Sequence, residues 1–519
     1  MLLGISFSVA MVLILGYFTF VHLFSRHRTA TSHLPLPPGP RKLPFIGNLL
    51  NFPSSFEWEA FEAWGKKYNT PIIHLSVAGR SLIVLNTAEA ARDLLEKRSA
   101  IYSGRPNLRV INEFMGFGWL LVFMPYGLEW KERRRLFTRH FHPTNNELHK
   151  GKVLQCGRRL LAQLLSSPQD YMQHVRHSVG GMLISVAYGV ETKANNDPYI
   201  NVAEEVTNHI SDGANTATMI IDVVPFLMPI LSRILPLSTF QKSRSEWKEL
   251  AYKFRDEPFY KAQKSFEDGA GQDSFVSRAL EDGNMFSSSN TLQDEIIKDV
   301  AAIVFIGGSS TVNAIIHTFF LAMLCYPDAQ RKAQEELDRV IGRGRLPDFT
   351  DQPQLPYLSA LVKEIHRWRP SGPMAIPHLL EKDDEYLGYH IPAQSVVIVN
   401  VWAMLHDPQT YPDPEAFKPE RFLKPDGTLD TSVRDPATVA FGFGRRICPG
   451  AHIAEFTFWI VVASVLSTFN ISKALDEKGQ EIEPTLEYRS AVTFEPMPFK
   501  CKIEPRHEGV KTLIHGAME

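Results

Sequence analysis

The chain has 519 residues, of which 44% are hydrophobic, 22% charged and 11% aromatic, a balance that fits a large packed enzyme and excludes long disorder, collagen-like repeats and a coiled coil. Lys plus Arg number 55 against 57 for Asp plus Glu, a formal charge of −2, so no global positive field collects phosphate backbones and nucleic acid is not expected as a partner. The four cysteines, Cys156, Cys325, Cys448 and Cys501, contain no C-x-x-C pair and form neither a disulfide framework nor a zinc ribbon, which points to a reducing compartment.

In chain order, the first element is an apolar run from Leu2 to Phe24. As a helix it rises about 34 Å, enough for a hydrocarbon core of about 30 Å. A cleaved signal peptide is the competing reading, but the run is long, lacks a preceding Lys or Arg and is followed by no clear A-x-A site. Residues 1–25 are therefore expected to be a transmembrane helix, and Arg26, His27, Arg28, Arg41 and Lys42 place the rest in the cytosol. Residues 26–44 contain Leu34-Pro35-Leu36-Pro37-Pro38-Gly39-Pro40, expected to be a stiff spacer between bilayer and body. Residues 45–519 are expected to form one large domain. Ile72–Val77 and Ser81–Asn86, β-branched and split by Ala78-Gly79-Arg80, predict a hairpin, and Thr87 predicts the cap of a helix reaching Glu96. Helical periodicity then dominates. Asp294 to Cys325 predicts a buried helix of roughly 48 Å, interrupted at Gly307-Gly308. Glu267–Asn290 reads as an exposed loop, and strand-like pieces return at His390–Val401 and Val492–Phe494. Asn470-Ile471-Ser472 is a glycosylation sequon.

The stretch richest in chemistry is Phe441-Gly442-Phe443-Gly444-Arg445-Arg446-Ile447-Cys448-Pro449-Gly450. Pro449 suits a first helical position, which puts the Cys448 sulfur at a helix N-terminus, where free N–H groups favour the thiolate. Gly444 and Gly450 allow close approach to a flat ligand, and Arg446 can meet a carboxylate on its edge. The plainer alternative is a buried cysteine acting as a small hydrophobe.

Phe441, Gly444, Arg446, Cys448 and Gly450 occupy every defined position of F-x-x-G-x-R-x-C-x-G, the haem-binding signature of the cytochrome P450 family, which this chain resembles. The resemblance implies a mainly α (α+β) cytochrome P450 fold with a small β domain near the N-terminus. It also implies haem b with Cys448 thiolate as axial ligand, donating electron density that favours O–O cleavage. Glu364-Ile365-His366-Arg367 resembles the family's E-x-x-R, and Phe417-Lys418-Pro419-Glu420-Arg421-Phe422 its F-x-P-E-R-F; Glu364, Arg367 and Arg421 are then expected to form a buried ion cluster. Trp130 to Arg134 resembles W-x-x-x-R, so Trp130 and Arg134, with His378 after Pro377, are expected at the haem propionates. A basic face of Lys131, Arg133, Arg135 and Arg445 is the candidate docking surface for NADPH-cytochrome P450 reductase, with cytochrome b5 as a further donor.

Gly307-Gly308-Ser309-Ser310-Thr311-Val312 resembles the family's A/G-G-x-D/E-T-T segment, so Thr311 is expected to hold dioxygen and a water. Ser310 replaces the usual acid and Val312 the final threonine. A serine relays a proton only through a hydroxyl–water chain and cannot store one; alternatively these hydroxyls satisfy carbonyls one turn back. Phe45-Ile46-Gly47-Asn48-Leu49-Leu50, Trp58, Trp64, Tyr68 and Tyr102-Ser103-Gly104-Arg105-Pro106 resemble fungal members, particularly the O-methylsterigmatocystin oxidoreductase type. By family position, Phe114, Phe117, Trp119, Phe123, Phe305, Ile306, Met374, Ile376 and Val492 line a pocket for an apolar polyketide, terpenoid or aromatic, although some of these aromatics are expected to be core. The implied activity is monooxygenation with O2 and NADPH electrons at the endoplasmic reticulum membrane. A reductase-independent isomerase or dehydratase and a non-catalytic haem sensor are the alternatives.

Overall fold

The computed structural model describes residues 33–44, 46–193, 196–213, 237–282 and 290–518. The expected transmembrane helix at 1–25 lies outside them. Strands β1 (Ile72–Val77) and β2 (Arg80–Leu85) form the expected hairpin, in register from Ile72 opposite Leu85 to Val77 opposite Arg80. The turn is only two residues, Ala78 at φ 46° and Gly79 at φ 85°, because positive φ at both positions matches the right-handed twist of the strands it joins. Strand β3 (His378–Leu379) runs antiparallel to β4 (Val396–Val399), and β4 lies parallel to β2, giving the sheet order β1-β2-β4-β3. Thr87 caps the next helix by accepting from Ala90 N at 3.3 Å. The proline-rich connector is no free spacer. The Pro38 carbonyl accepts from His74 N at 2.9 Å and Pro35 from His390 N at 2.8 Å, so carbonyls that proline leaves unpaired in its own segment extend the β domain.

The helical body is built from α1 (Leu128–His140), α2 (Glu147–Ser166), α3 (Tyr171–Tyr188), α4 (Leu237–Glu267), α5 (Phe275–Glu281), α6 (Asn290–Cys325), α7 (Pro356–Trp368) and α8 (Ala451–Thr468). The long α6 crosses the core, and α3, α8, α4 and α1 all pack on it. It is not interrupted at Gly307-Gly308. A side chain at Gly308 would stand 2.9 Å from a methyl of Leu183, so this glycine serves close packing of α3 on α6 and not a break. Helices α6 and α8 are apolar and long enough to cross a bilayer, but 61% and 67% of their apolar windows are buried inside the protein, which makes them core helices.

The segment expected as an exposed loop at Glu267–Asn290 contains α5. Ser274 and Ser277 form a reciprocal capping box, and Phe275 and Val276 are buried against the body. Periodicity was hidden there by flanking Gly, Ser and Asp. Near the C-terminus the paired strands are β5 (Tyr488–Arg489) and β6 (Glu495–Pro496), so Val492 sits in the loop between them and not in a strand.

Three fully or nearly fully buried imidazoles are held neutral by desolvation: His366 is pushed down to about 4, and His74 and His406 to about 3. Because the unfolded chain binds protons at these positions near pH 6.5 and the folded chain does not, their contribution is present above about pH 6.5 and is lost as pH falls toward 4. Urea midpoints are expected to fall between pH 7 and pH 5, with a limiting slope of about 1.4 kcal/mol per pH unit for each histidine. Replacement of His366 by Gln is expected to make the fall shallower by that one histidine's share.

Candidate active site

The Phe441–Gly450 loop is shaped by its backbone. Cys448 N donates to the Phe441 carbonyl at 2.9 Å and closes the loop. Gly444 has φ +59°, and a Cβ there would stand 2.0 Å from the Leu95 carbonyl oxygen, so no other residue fits. Helix α8 begins at Ala451 with Gly450 as its N-cap, which places Pro449 before the helix and not at its first position. The N–H groups of Gly450 and Ala451 donate to the Cys448 sulfur and, with Arg134, favour its anion. Burial outweighs them and pushes the thiol up overall, a reversal of the expected lowering. The sulfur is open to the space above the loop yet desolvated by the protein around that space, so a thiolate here calls for a cation bound directly to it.

Positive groups converge over this space. Arg446 donates from Nε to Ser103 O at 2.9 Å and from Nη2 to Met124 O at 2.9 Å, and its guanidinium lies 4.4 Å over the Trp130 ring. Arg134 donates to Ile447 O at 2.8 Å, next to the cysteine. His378, on β3, is 4% exposed, and its Nδ1 lies 2.8 Å from Tyr102 O. Arg105 donates to the carbonyls of Val122, Ile376 and Pro377 at 2.8–2.9 Å. Burial lowers all four, Arg446 to about 10. Arg105 and Arg446 each add to the lowering of His378. Among the described residues none of the three arginines has a carboxylate partner. Desolvated cations held only by carbonyls form a site for a ligand with anionic groups. Haem, flat and apolar with two propionates, fits this donor set above a sulfur. The sequence names Arg105 only within a stretch that resembles fungal members and gives it no role, because its carbonyl acceptors lie in other segments.

Beneath the loop, Glu364 and Arg367 on α7 pair through both carboxylate oxygens at 2.8 and 2.9 Å, as their i, i+3 spacing allows. Arg421 adds contacts of 3.1 Å to each oxygen, and Lys418 N donates at 2.7 Å. Arg367 also caps the carbonyls of Leu405, Pro414 and Ala416. All three ionic side chains are buried, as expected from the sequence. On α6, Thr311 Oγ1 donates to Gly307 O at 2.9 Å and Ser309 to Ile306 O at 3.4 Å. The Thr311 hydrogen is thus held by its own helix while its lone pairs stay free, and Ser310 is half-buried beside it.

A cytochrome P450 family model matches residues 37–503. The chain is a cytochrome P450. It is 44% identical over 483 residues to the cytochrome P450 monooxygenase ple1 of Rhodocybe pseudopiperita, covering 93% of this chain and 91% of that protein. It is 41% identical to cytochrome P450 monooxygenase 98 of Postia placenta, covering 97% and 96%. It is 38% identical to the tryptamine 4-monooxygenase of Psilocybe cyanescens, covering 93% and 94%. The chain is accordingly a fungal-type P450 monooxygenase, and the family implies haem with a cysteine thiolate ligand.

Most aromatics expected along the substrate pocket of this P450 are core. Phe117, Trp119, Phe123, Phe305 and Ile306 are buried in the main cluster, and Phe254 of α4 stacks on Phe305 at 5.4 Å and on Trp119 at 6.5 Å. Phe114 is half-buried beneath Arg244 at 4.8 Å. Met374 packs toward the β domain and Ile376 toward the main core, while Val492 is 39% exposed.

The basic face of the P450 also differs from expectation in one residue. Lys131, Arg135 and Arg445 are exposed, but Arg133 points inward and pairs with buried Asp299 at 2.8 Å. Arg255 of α4 holds the other Asp299 oxygen at 3.2 Å, so one carboxylate ties α1, α4 and α6 together. Lys131 and Arg135 line a basin of about 860 Å³ with Tyr126, Trp130, Arg134 and Arg139, and Arg445 donates to the Tyr126 hydroxyl at 2.6 Å.

Glu364→Gln leaves two buried guanidiniums around a neutral amide and is expected to cost about 3–5 kcal/mol, read as a fall in thermal midpoint together with loss of bound haem. Lys332→Gln, which removes only the exposed partner of Glu420, is expected to cost under about 1 kcal/mol.

Proposed function

We propose that this P450 is a haem-thiolate monooxygenase that inserts one atom of O2 into an apolar, ring-containing organic substrate, with NADPH electrons delivered by a membrane flavoprotein reductase. The observation that carries the reading is the Cys448 sulfur beneath carboxylate-free guanidiniums and an imidazole. Haem, when bound, supplies oxygen activation at its iron with Cys448 as the sulfur ligand. Arg105, Arg134, Arg446 and His378 hold the propionates and Trp130 flanks them, while Phe441, Gly444 and Gly450 shape the loop that presents the sulfur. The Thr311 hydroxyl accepts through its lone pairs, because its hydrogen is engaged by Gly307 O. Protons therefore reach the site through Ser310 and ordered water, since no carboxylate stands at that position.

Substrate class rests on the apolar backing of the pocket and on the likeness to the O-methylsterigmatocystin oxidoreductase type; the relative named for tryptamine also carries an aromatic ring system in its substrate. The reductase, and cytochrome b5 as an additional donor, dock at the basin bordered by Lys131, Arg135 and Arg445. Opposite charge on a partner speeds encounter there more than it tightens the complex. Residues 1–25 hold the protein in the endoplasmic reticulum membrane with residues 45–519 facing the cytosol.

The reduced protein with carbon monoxide is expected to show the red-shifted Soret band of a thiolate haem, and Cys448→Ala to abolish it. A band typical of a histidine-bound haem in the wild type defeats the proposal. For the docking face, Lys131→Glu with Arg135→Glu is expected to raise the KM for reductase about tenfold at low salt and progressively less as salt rises. Arg133→Met, by contrast, is expected to lower the melting temperature without altering that salt dependence, because its partner is Asp299.

A further inference from the structure

His378 is held in one tautomer by an acceptor that has no hydrogen to offer. Its Nδ1 lies 2.8 Å from the Tyr102 carbonyl, so Nδ1 carries the N–H. A neutral imidazole has only one N–H, and Nε2 is left with a lone pair. Among the described residues nothing bonds to Nε2, and that atom is not fully enclosed, so it is the polar atom this nearly buried ring leaves for a partner, beside the guanidiniums of Arg105 and Arg446. A carboxylate also offers only lone pairs, and two lone pairs do not make a hydrogen bond.

The groups around the ring do not supply the missing hydrogen. Arg105, from the segment after the Ser99–Tyr102 turn, commits Nε and Nη1 to the carbonyls of Val122, Ile376 and Pro377. Arg446 gives Nε to Ser103 O and Nη2 to Met124 O; among the described residues no N–H of either arginine donates to the ring, and their remaining hydrogens are left for the propionates. The Tyr102 phenol donates to Asp384 at 2.9 Å, and the residue opposite His378 on β4 is Val397. Burial and the two guanidiniums hold the ring well below its ordinary range, so the ring is neutral until an anion arrives.

We propose that haem binding to this chain takes up one proton from solvent, which settles between His378 Nε2 and a propionate oxygen and converts a lone-pair clash into a charge-assisted hydrogen bond. The inference rests on the haem reading given above. The carboxylate, once in place, stabilises the imidazolium that the two arginines alone disfavour. No bond other than N–H or O–H forms or breaks, and the proton returns to water when haem leaves. His378 thereby makes haem retention dependent on pH, which a third arginine at this position would not.

The test measures haem transfer from the full-length holoprotein in detergent micelles to excess apomyoglobin between pH 6 and pH 9. Wild-type transfer is expected to accelerate with pH, by up to tenfold per unit while the holoprotein still holds the shared proton, and to level off once that proton is lost. His378→Arg, which keeps its hydrogens throughout, is expected to give a flat profile at the slow limit. His378→Gln, with one neutral N–H donor, is expected to give a flat profile about tenfold faster than wild type at pH 6. A flat wild-type profile, or the same slope in all three proteins, overturns the proton uptake while leaving the haem reading intact. Wild-type protein that carries no thiolate haem overturns both.

Discussion

Three guanidiniums and an imidazole are removed from water around Cys448 with no acid of the protein's own to receive them, and this uncompensated charge governs the construction of the site. Each group is held instead by main-chain carbonyls: those of Ser103, Val122, Met124, Ile376, Pro377 and Ile447 take the charged arginines, and that of Tyr102 takes the neutral histidine. The carbonyls come from four stretches distant in sequence, so the cations also act as cross-links between the β domain, the segment before α1 and the cysteine loop. A buried unpaired charge is costly, and the arrangement is tolerable because the cofactor that belongs there brings the missing negative charge.

The Glu364 cluster answers the opposite problem. There one carboxylate is saturated by two guanidiniums and a main-chain N–H, and the surplus donors of Arg367 and Arg421 cap carbonyls in the 405–416 stretch. The segment leading into the cysteine loop has little regular structure, so side chains supply the order that a ladder of backbone bonds supplies elsewhere. One region of the molecule is thus short of negative charge and another is locally balanced, and the first binds while the second braces.

How much of this could be read from the residues depended on whether the information was local. The hairpin at 72–85 is local, because alternation and a turn residue determine it. The cysteine loop is legible as a pattern, since Gly444 and Cys448 are fixed by close approach and by chemistry within ten residues. Gly307-Gly308 was misread because a glycine pair in a helix has the same appearance whether it loosens the ladder or admits a neighbour; only Leu183 of α3 distinguishes the two. Arg133 was misread because a run of basic residues conceals which one points inward, and its partner Asp299 lies 166 residues away. Arg105 escaped for the same reason, its acceptors being carbonyls in other segments. The burial of Trp119 and Phe305 in the core could not be read locally, since Phe254, which stacks between them, belongs to a helix with no motif. The thiol of Cys448 shows competition between terms: the helix end acts in the direction expected, and desolvation exceeds it.

The hydrogen bonds from His74 and His390 to the Pro38 and Pro35 carbonyls bear on mechanics as well as on folding. A connector made of prolines resists bending, and stitching it to two strands turns it into a rigid handle on the sheet. Torque or tilt applied at residue 33 is passed without slack to β1 and, through β2 and β4, to the strand that carries His378. The connector and the strand that bears His378 therefore belong to one hydrogen-bonded sheet system.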